Sequence, residues 1–216
     1  MPDAAERRNA RTILQRLKRL YPDIGTALRY DDPWQLLVAT VLSAQTTDVT
    51  VNRVTPELFR RWPTPAALAG ADPEEVEAVV HSTGFYRQKT RAVIELSADL
   101  AERFGGVVPN DLARLTTLRG VGRKTASVVL AEAFRLPAIA VDTHVGRVTH
   151  RLGLVASRQP GKAEAELKDL FPEKEWSGIS MRFIQFGRDT CWARRPRCYD
   201  CALVDRCPYP DKTPAP

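Results

Sequence analysis

Leu118-Arg119-Gly120-Val121-Gly122-Arg123-Lys124-Thr125-Ala126 joins two stretches of helical pattern through a turn that holds two glycines. Gly120 and Gly122 can take positive φ, and without a Cβ they let another backbone come close. The N–H groups at the start of the second helix then face outward and form an anion site. Arg119 and Arg123 add positive charge. A turn of this build grips a DNA phosphate without reading sequence. The G-x-G alone would serve equally as a Gly-rich loop between two core helices, because short glycine motifs match often. The helical flanks and the basic charge favour DNA.

Outward from the hairpin, the chain reads as helix throughout, with no convincing alternating strand. After the turn, residues 124–134 carry Ala126, Val129, Leu130, Ala133 and Phe134 on one stripe. Before it, Gly84 and Gly105 suit stops on either side of a long helix over 86–104, and Asn110 can cap the next. Asp32-Pro33 opens a helix running to about residue 44 that is apolar on nearly all sides and therefore central. Thr64-Pro65 and Asp72-Pro73 repeat that start signal, the second with Glu75 placed for a capping box. Residues 11–20 carry Ile13, Leu14, Leu17 and Leu20 on one face, and further helices are expected over 145–152, 162–170 and 176–186. Pro56 leaves a kink and a restart at Thr55 equally open. The fold class is all-α with short loops.

The 216 residues suffice for one good-sized domain or two small ones, and the 44% apolar content excludes disorder as the main state. No apolar run approaches the length of a membrane span, and the opening MPDAAERR has no apolar core of a secretory signal. An intracellular, reducing compartment is the expectation, the cytoplasm. A net charge of +6 favours a polyanionic partner, nucleic acid being the commonest. Residues 209–216 form a Pro-rich, frayed tail.

Lys124 stands in the first turn of its helix, where the positive end of the dipole disfavours an ammonium. Arg119 and Arg123 disfavour it too, so the neutral, nucleophilic amine gains. Most helical lysines are merely solvated. Asp142 follows in Val141-Asp142-Thr143-His144. A helix of about 16 Å and a return segment of up to about 26 Å let the chain double back and bring the carboxylate to the lysine. Asp142 also reads as the N-cap of the helix beginning near Val145, which does not exclude a proton-accepting or cation-facing role. His81, His144 and His150 show no ligand spacing.

The only four cysteines, Cys191, Cys198, Cys201 and Cys207, form C-x6-C-x2-C-x5-C. Thiols so concentrated read as ligands of one metal centre rather than a disulfide framework. On spacing alone a structural zinc and an iron–sulfur cluster stand level, although zinc ribbons usually show two C-x2-C pairs.

The hairpin motif, then Val141-Asp142-Thr143-His144-Val145, then the cysteine pattern, together resemble the endonuclease III branch of the helix-hairpin-helix DNA glycosylases. Leu42-Ser43-Ala44-Gln45-Thr46-Thr47-Asp48 and Val51-Asn52 add to the likeness, which spans about residues 13–208. The resemblance implies two helical domains, residues 26–136 with the hairpin and residues 1–25 plus 137–216 with the cluster loop, and a cleft between them as the site. It implies a bifunctional glycosylase and AP lyase acting on oxidised pyrimidines, or on abasic sites, in duplex DNA. Lys124 would attack C1′ and form a Schiff base, Asp142 would assist, and β-elimination would nick the strand. Because the target atom is stacked in the duplex, the nucleotide must be flipped out. Gln45 would fill the vacated space, Asp48 would line the base pocket, and Gly120, Val121, Gly122 and Arg123 would hold the backbone. One 4Fe-4S cluster would sit on the four cysteines, with Arg194, Arg195 and Arg197 turned toward DNA. A monomer is implied, associated with the nucleoid in a prokaryote.

Two positions depart from the family pattern. Arg119 stands where the turn usually has proline, adding charge and loosening the turn. Phe85 stands where the wedge residue is commonly leucine. The nearest alternative is an adenine-specific glycosylase that only removes the base; such enzymes lack a lysine at position 124 and have a further C-terminal domain, whereas this sequence stops at Pro216. A non-catalytic hairpin module would leave Lys124 and Asp142 unexplained.

Overall fold

The computed structural model describes residues 2–215; Met1 and Pro216, the ends of the opening segment and the Pro-rich tail, lie outside the described residues. The chain divides into two compact units, one made of Thr26–Arg135, the other of Met1–Gly25 with Leu136–Pro216. Regular structure among the described residues is helical throughout.

The Thr26–Arg135 unit is built on α2 (Pro33–Leu42), following α1 (Ala4–Leu20) in the chain. Every residue of α2 from Trp34 to Leu42 is buried except Gln35, as an all-apolar helix requires. Asp32 caps it by accepting from the Gln35 N–H at 2.8 Å, and Pro33 occupies the first turn, where its missing N–H costs nothing. Around α2 pack α3 (Asp48–Arg61), α6 (Tyr86–Phe104) and α8 (Arg123–Glu132), with α4 (Pro65–Ala69) and α5 (Pro73–Val80) on α6, and α7 (Leu112–Leu115) beside α8. Trp34 donates to the Ser97 hydroxyl across the core at 3.2 Å.

At Pro56 the reading left open is narrowed, since the chain does not restart at Thr55, and two local expectations change. α3 runs unbroken through Pro56, because buried Val51, Val54, Thr55 and Leu58 anchor both sides of the proline against the core. The cap of α7 is Asp111, accepting from the Arg114 N–H at 2.8 Å, rather than Asn110. Asp72 bonds the Glu74 N–H at 2.8 Å, one position short of the box Glu75 would close.

In the second unit α1 begins seven residues earlier than its apolar stripe predicts. Asp3 accepts from the N–H groups of Ala5 and Glu6 at 2.7 and 2.8 Å, while Glu6 accepts from the Asp3 N–H at 2.7 Å, a complete capping box. Ile13, Leu14 and Leu17 of α1 enter one core with Val145 and Val148 of α9 (Thr143–Arg151), Leu167 of α10 (Pro160–Leu170), and Phe183 and Phe186 of α11 (Trp176–Asp189). Cys191, Cys201 and Cys207 pack at the edge of that core. No described helix is long and apolar enough to cross a membrane.

Candidate functional site

The hairpin closes where the glycines predict it. Gly120 has φ +72°, and a Cβ there would come within 3.0 Å of the Ala92 Cβ on α6, so both its conformation and its packing demand glycine. Gly122 differs from expectation: its φ is −84°, and a Cβ would meet nothing within 4 Å. It is the N-cap of α8, which starts without a side-chain cap. Val121 puts its side chain in the core and donates its N–H to the Leu118 carbonyl at 3.1 Å. Exposed Gly122, Arg123 and Lys124 are therefore the outward face of the turn. Lys124 is the second residue of α8.

Arg119 does not loosen the turn. Its N–H, which proline would lack, donates to Asp99 Oδ2 on α6 at 3.1 Å, and its guanidinium lies 3.0 Å from Glu95. Asp99 Oδ1 also accepts from Arg103, which reaches on to the Thr117 hydroxyl at 2.9 Å. Two carboxylates on α6 thus tie the turn down and offset the added charge.

Gln45 and Phe85 share an unusual backbone. They take φ of +54° and +49°, two of four non-glycine residues at positive φ among the described residues. For a side chain of that size the left-handed region is costly, and such residues concentrate at functional sites. Both are exposed, Phe85 to 60%. Gln45 lies in the loop between α2 and α3; Asp48 is the first residue of α3, behind the Thr47 cap. Arg195, in the cysteine loop, is another of the four.

Asp142 is the N-cap of α9, its Oδ1 accepting from the Val145 N–H at 2.8 Å. The same helix holds the cysteine loop. Arg147 donates to the carbonyls of Cys191 and Gly187, both at 3.1 Å, and contacts His144 Nδ1 at 3.0 Å. One turn on, Arg151 donates to the Trp192 and Ala193 carbonyls at 2.6 and 3.0 Å and lies 3.5 Å from Cys191 Sγ. Burial pushes the His144 pKa down, against the neighbouring Asp142 charge that raises it. Arg147 and Arg151 are functional candidates that the motif reading missed; their i, i+4 spacing just after Asp142 was the available signal.

The four thiols are half-buried and form no disulfide, and all line one small cavity of about 20 Å³ whose wall also holds Leu152, Phe186, Val204, Arg151, Arg197 and Lys212. The Leu203 N–H points at Cys201 Sγ at 3.4 Å. Burial raises the pKa of Cys201 and Cys207, so holding these two as thiolates is costly without a cationic centre beside them. Among the described residues no three of His, Cys, Asp or Glu are grouped closely enough to hold a single metal ion. Four thiols lining one cavity are a donor set that fits a thiolate-held metal centre. Exposed Arg194 and Arg195 project from the same loop, while Arg197 pairs with Asp200 at 2.7 Å.

An all-helical fold with this hairpin and a four-cysteine loop defines a class, and comparison places the chain in it. Residues 38–173 match the HhH-GPD superfamily base excision DNA repair protein family. Endonuclease III of Synechocystis sp. is 47% identical over 206 residues, covering 95% of this chain and 94% of that protein. Endonuclease III of Escherichia coli is 40% identical over 200 residues, covering 93% and 95%. A solved trapped endonuclease III–DNA covalent intermediate superposes with a TM-score of 0.89 at 41% identity, covering 97% of each chain. The chain belongs to the HhH-GPD superfamily of base excision DNA repair proteins, in its endonuclease III family. It is an enzyme of the DNA glycosylase/AP lyase class.

Proposed function

We propose that this enzyme binds duplex DNA, removes oxidised pyrimidines by Schiff-base chemistry and then nicks the strand by β-elimination, acting as a monomer in the cytoplasm, nucleoid-associated in a prokaryote. The observation that carries this reading is Lys124, exposed at the second position of α8 directly past the uncapped Gly122 turn. A covalent DNA intermediate trapped in a relative 41% identical supports a protein nucleophile.

In this scheme the Gly122 turn and Arg123 hold the phosphate backbone. Phe85 and Gln45, exposed and held at positive φ, enter the duplex as the nucleotide leaves the stack, and Asp48 faces the extruded base. The neutral Lys124 amine attacks C1′; the Nζ–C1′ bond forms as the glycosidic bond breaks, and the base departs with that electron pair. Asp142 accepts the amine proton and faces the positive charge that develops on the sugar. The nitrogen lone pair then opens the ring, breaking the C1′–O4′ bond as O4′ takes up a proton, and this gives the iminium. Loss of a C2′ proton then expels the 3′ phosphate by breaking its C3′–O bond.

Cys191, Cys198, Cys201 and Cys207 would hold one 4Fe-4S cluster, whose thiolate bonds fasten the loop that presents Arg194 and Arg195. Iron and acid-labile sulfide in fourfold ratio to protein after anaerobic purification is the expected result; zinc without iron would overturn it.

Borohydride trapping on a duplex with an oxidised pyrimidine, with Lys124→Gln as control, tests the chemistry. A covalent adduct lost in the variant is expected. Base release without an adduct would make the enzyme monofunctional, and Lys124 would lose its assigned role.

A further inference from the structure

Lys89 is 5% exposed, yet it forms no ion pair among the described residues. Its ammonium makes one hydrogen bond, donating to the Thr83 carbonyl at 2.7 Å. As the fourth residue of α6 it also lies near the positive end of the helix dipole. Desolvation and the dipole both disfavour the charge, and burial pushes its pKa down. An apolar side chain of that length would serve the core better.

What the lysine does is local. Its N–H donates to the Phe85 carbonyl at 3.1 Å, closing the first turn of α6, while its side chain leans back over that turn to Thr83. The two bonds bracket Gly84 and Phe85, at φ of +69° and +49°. Thr83 is itself buried, its hydroxyl on the Val80 carbonyl at 2.8 Å, so the far anchor is rigid. The corner that must present an exposed aromatic in a strained conformation is therefore clamped from both ends.

We infer that Lys89 is a positioning residue, which holds the 83–85 corner in its left-handed turn so that Phe85 is pre-aimed into the duplex. The inference rests on the reading of Phe85 as the wedge. Preorganisation of this kind acts on the step that uses the wedge rather than on phosphate binding.

The test compares Lys89→Met, Lys89→Arg, Phe85→Ala and the Met/Ala double variant. It reads melting temperature, affinity for undamaged duplex and single-turnover base release at saturating protein. Lys89→Met should melt at or above the wild-type temperature, bind undamaged duplex within about twofold, and release base about tenfold more slowly or worse. Lys89→Arg, which keeps a donor, should recover most of the rate. The double variant should be no slower than Phe85→Ala, because both changes remove one device. Wild-type turnover in Lys89→Met, multiplying losses in the double variant, or parallel losses of stability and undamaged binding would each overturn the inference. Slow Phe85→Ala beside normal Lys89→Met would leave the wedge standing and remove only the clamp. Normal Phe85→Ala would remove the wedge and the clamp with it. Should Lys89→Met fail to fold, Lys89→Gln is compared by the same criteria.

Discussion

Asp142 has two roles that different substitutions separate. As N-cap of α9 it satisfies the Val145 N–H; as a carboxylate it accepts a proton in the proposed reaction. Asparagine caps nearly as well but carries no charge. Asp142→Asn should therefore keep its stability within about 0.5 kcal/mol and lose about 100-fold or more in single-turnover base release. Asp142→Ala should in addition lose about 1 kcal/mol in chemical denaturation. Normal turnover in the asparagine variant would reduce Asp142 to a cap. At this scale, legibility follows range. Asp32, Thr64, Asp72 and Asp142 were readable as caps because a cap bonds within three residues of itself. The positive φ of Gln45 and Phe85 was not, since nothing in a glutamine or phenylalanine announces a left-handed backbone that its surroundings impose. Lys89 was hidden for the same reason: an unremarked lysine in a helical pattern reads as surface.

Among elements, α6 and the hairpin form a mechanical pair. Gly120 packs on Ala92, and the Arg119 N–H and Arg103 meet on Asp99. Proline would fix φ in the turn but could not make the Asp99 bond. Asp99→Ala should cost about 1 kcal/mol of stability and weaken binding of undamaged duplex, as read by denaturant melts and fluorescence anisotropy. Lost stability with unchanged affinity would mean that the turn is not a backbone contact. The helices on either side were legible from apolar spacing and glycine stops, and α6 spans Tyr86–Phe104 as those signals predict. The compensation for Arg119 was not legible, because its partner stands 20 residues away. The link from α9 to the cysteine loop, made by Arg147 and Arg151 across about 40 residues, escaped for the same reason.

For the whole molecule, the net charge of +6 separates two components of recognition. Contacts to phosphate release counterions, so each one neutralised contributes about −0.9 to the slope of log K against log salt. Those contacts hold the protein on any duplex. In the proposed scheme a flipped base in its pocket, with Phe85 and Gln45 in the stack, is read by shape, stacking and hydrogen bonds, and releases few further ions. Affinity for undamaged and for lesion-bearing duplex should therefore fall along parallel lines as salt rises from 50 to 200 mM, about. Their ratio should stay nearly constant. Replacing Arg194 and Arg195 by glutamine should flatten both lines by about 1.8 while leaving the ratio unchanged. Anisotropy titrations with a catalytically silent Lys124→Gln protein measure both duplexes without turnover. A ratio that collapses with salt would place lesion recognition itself in charge contacts, and the exposed Phe85 and Gln45 would lose their proposed part in it.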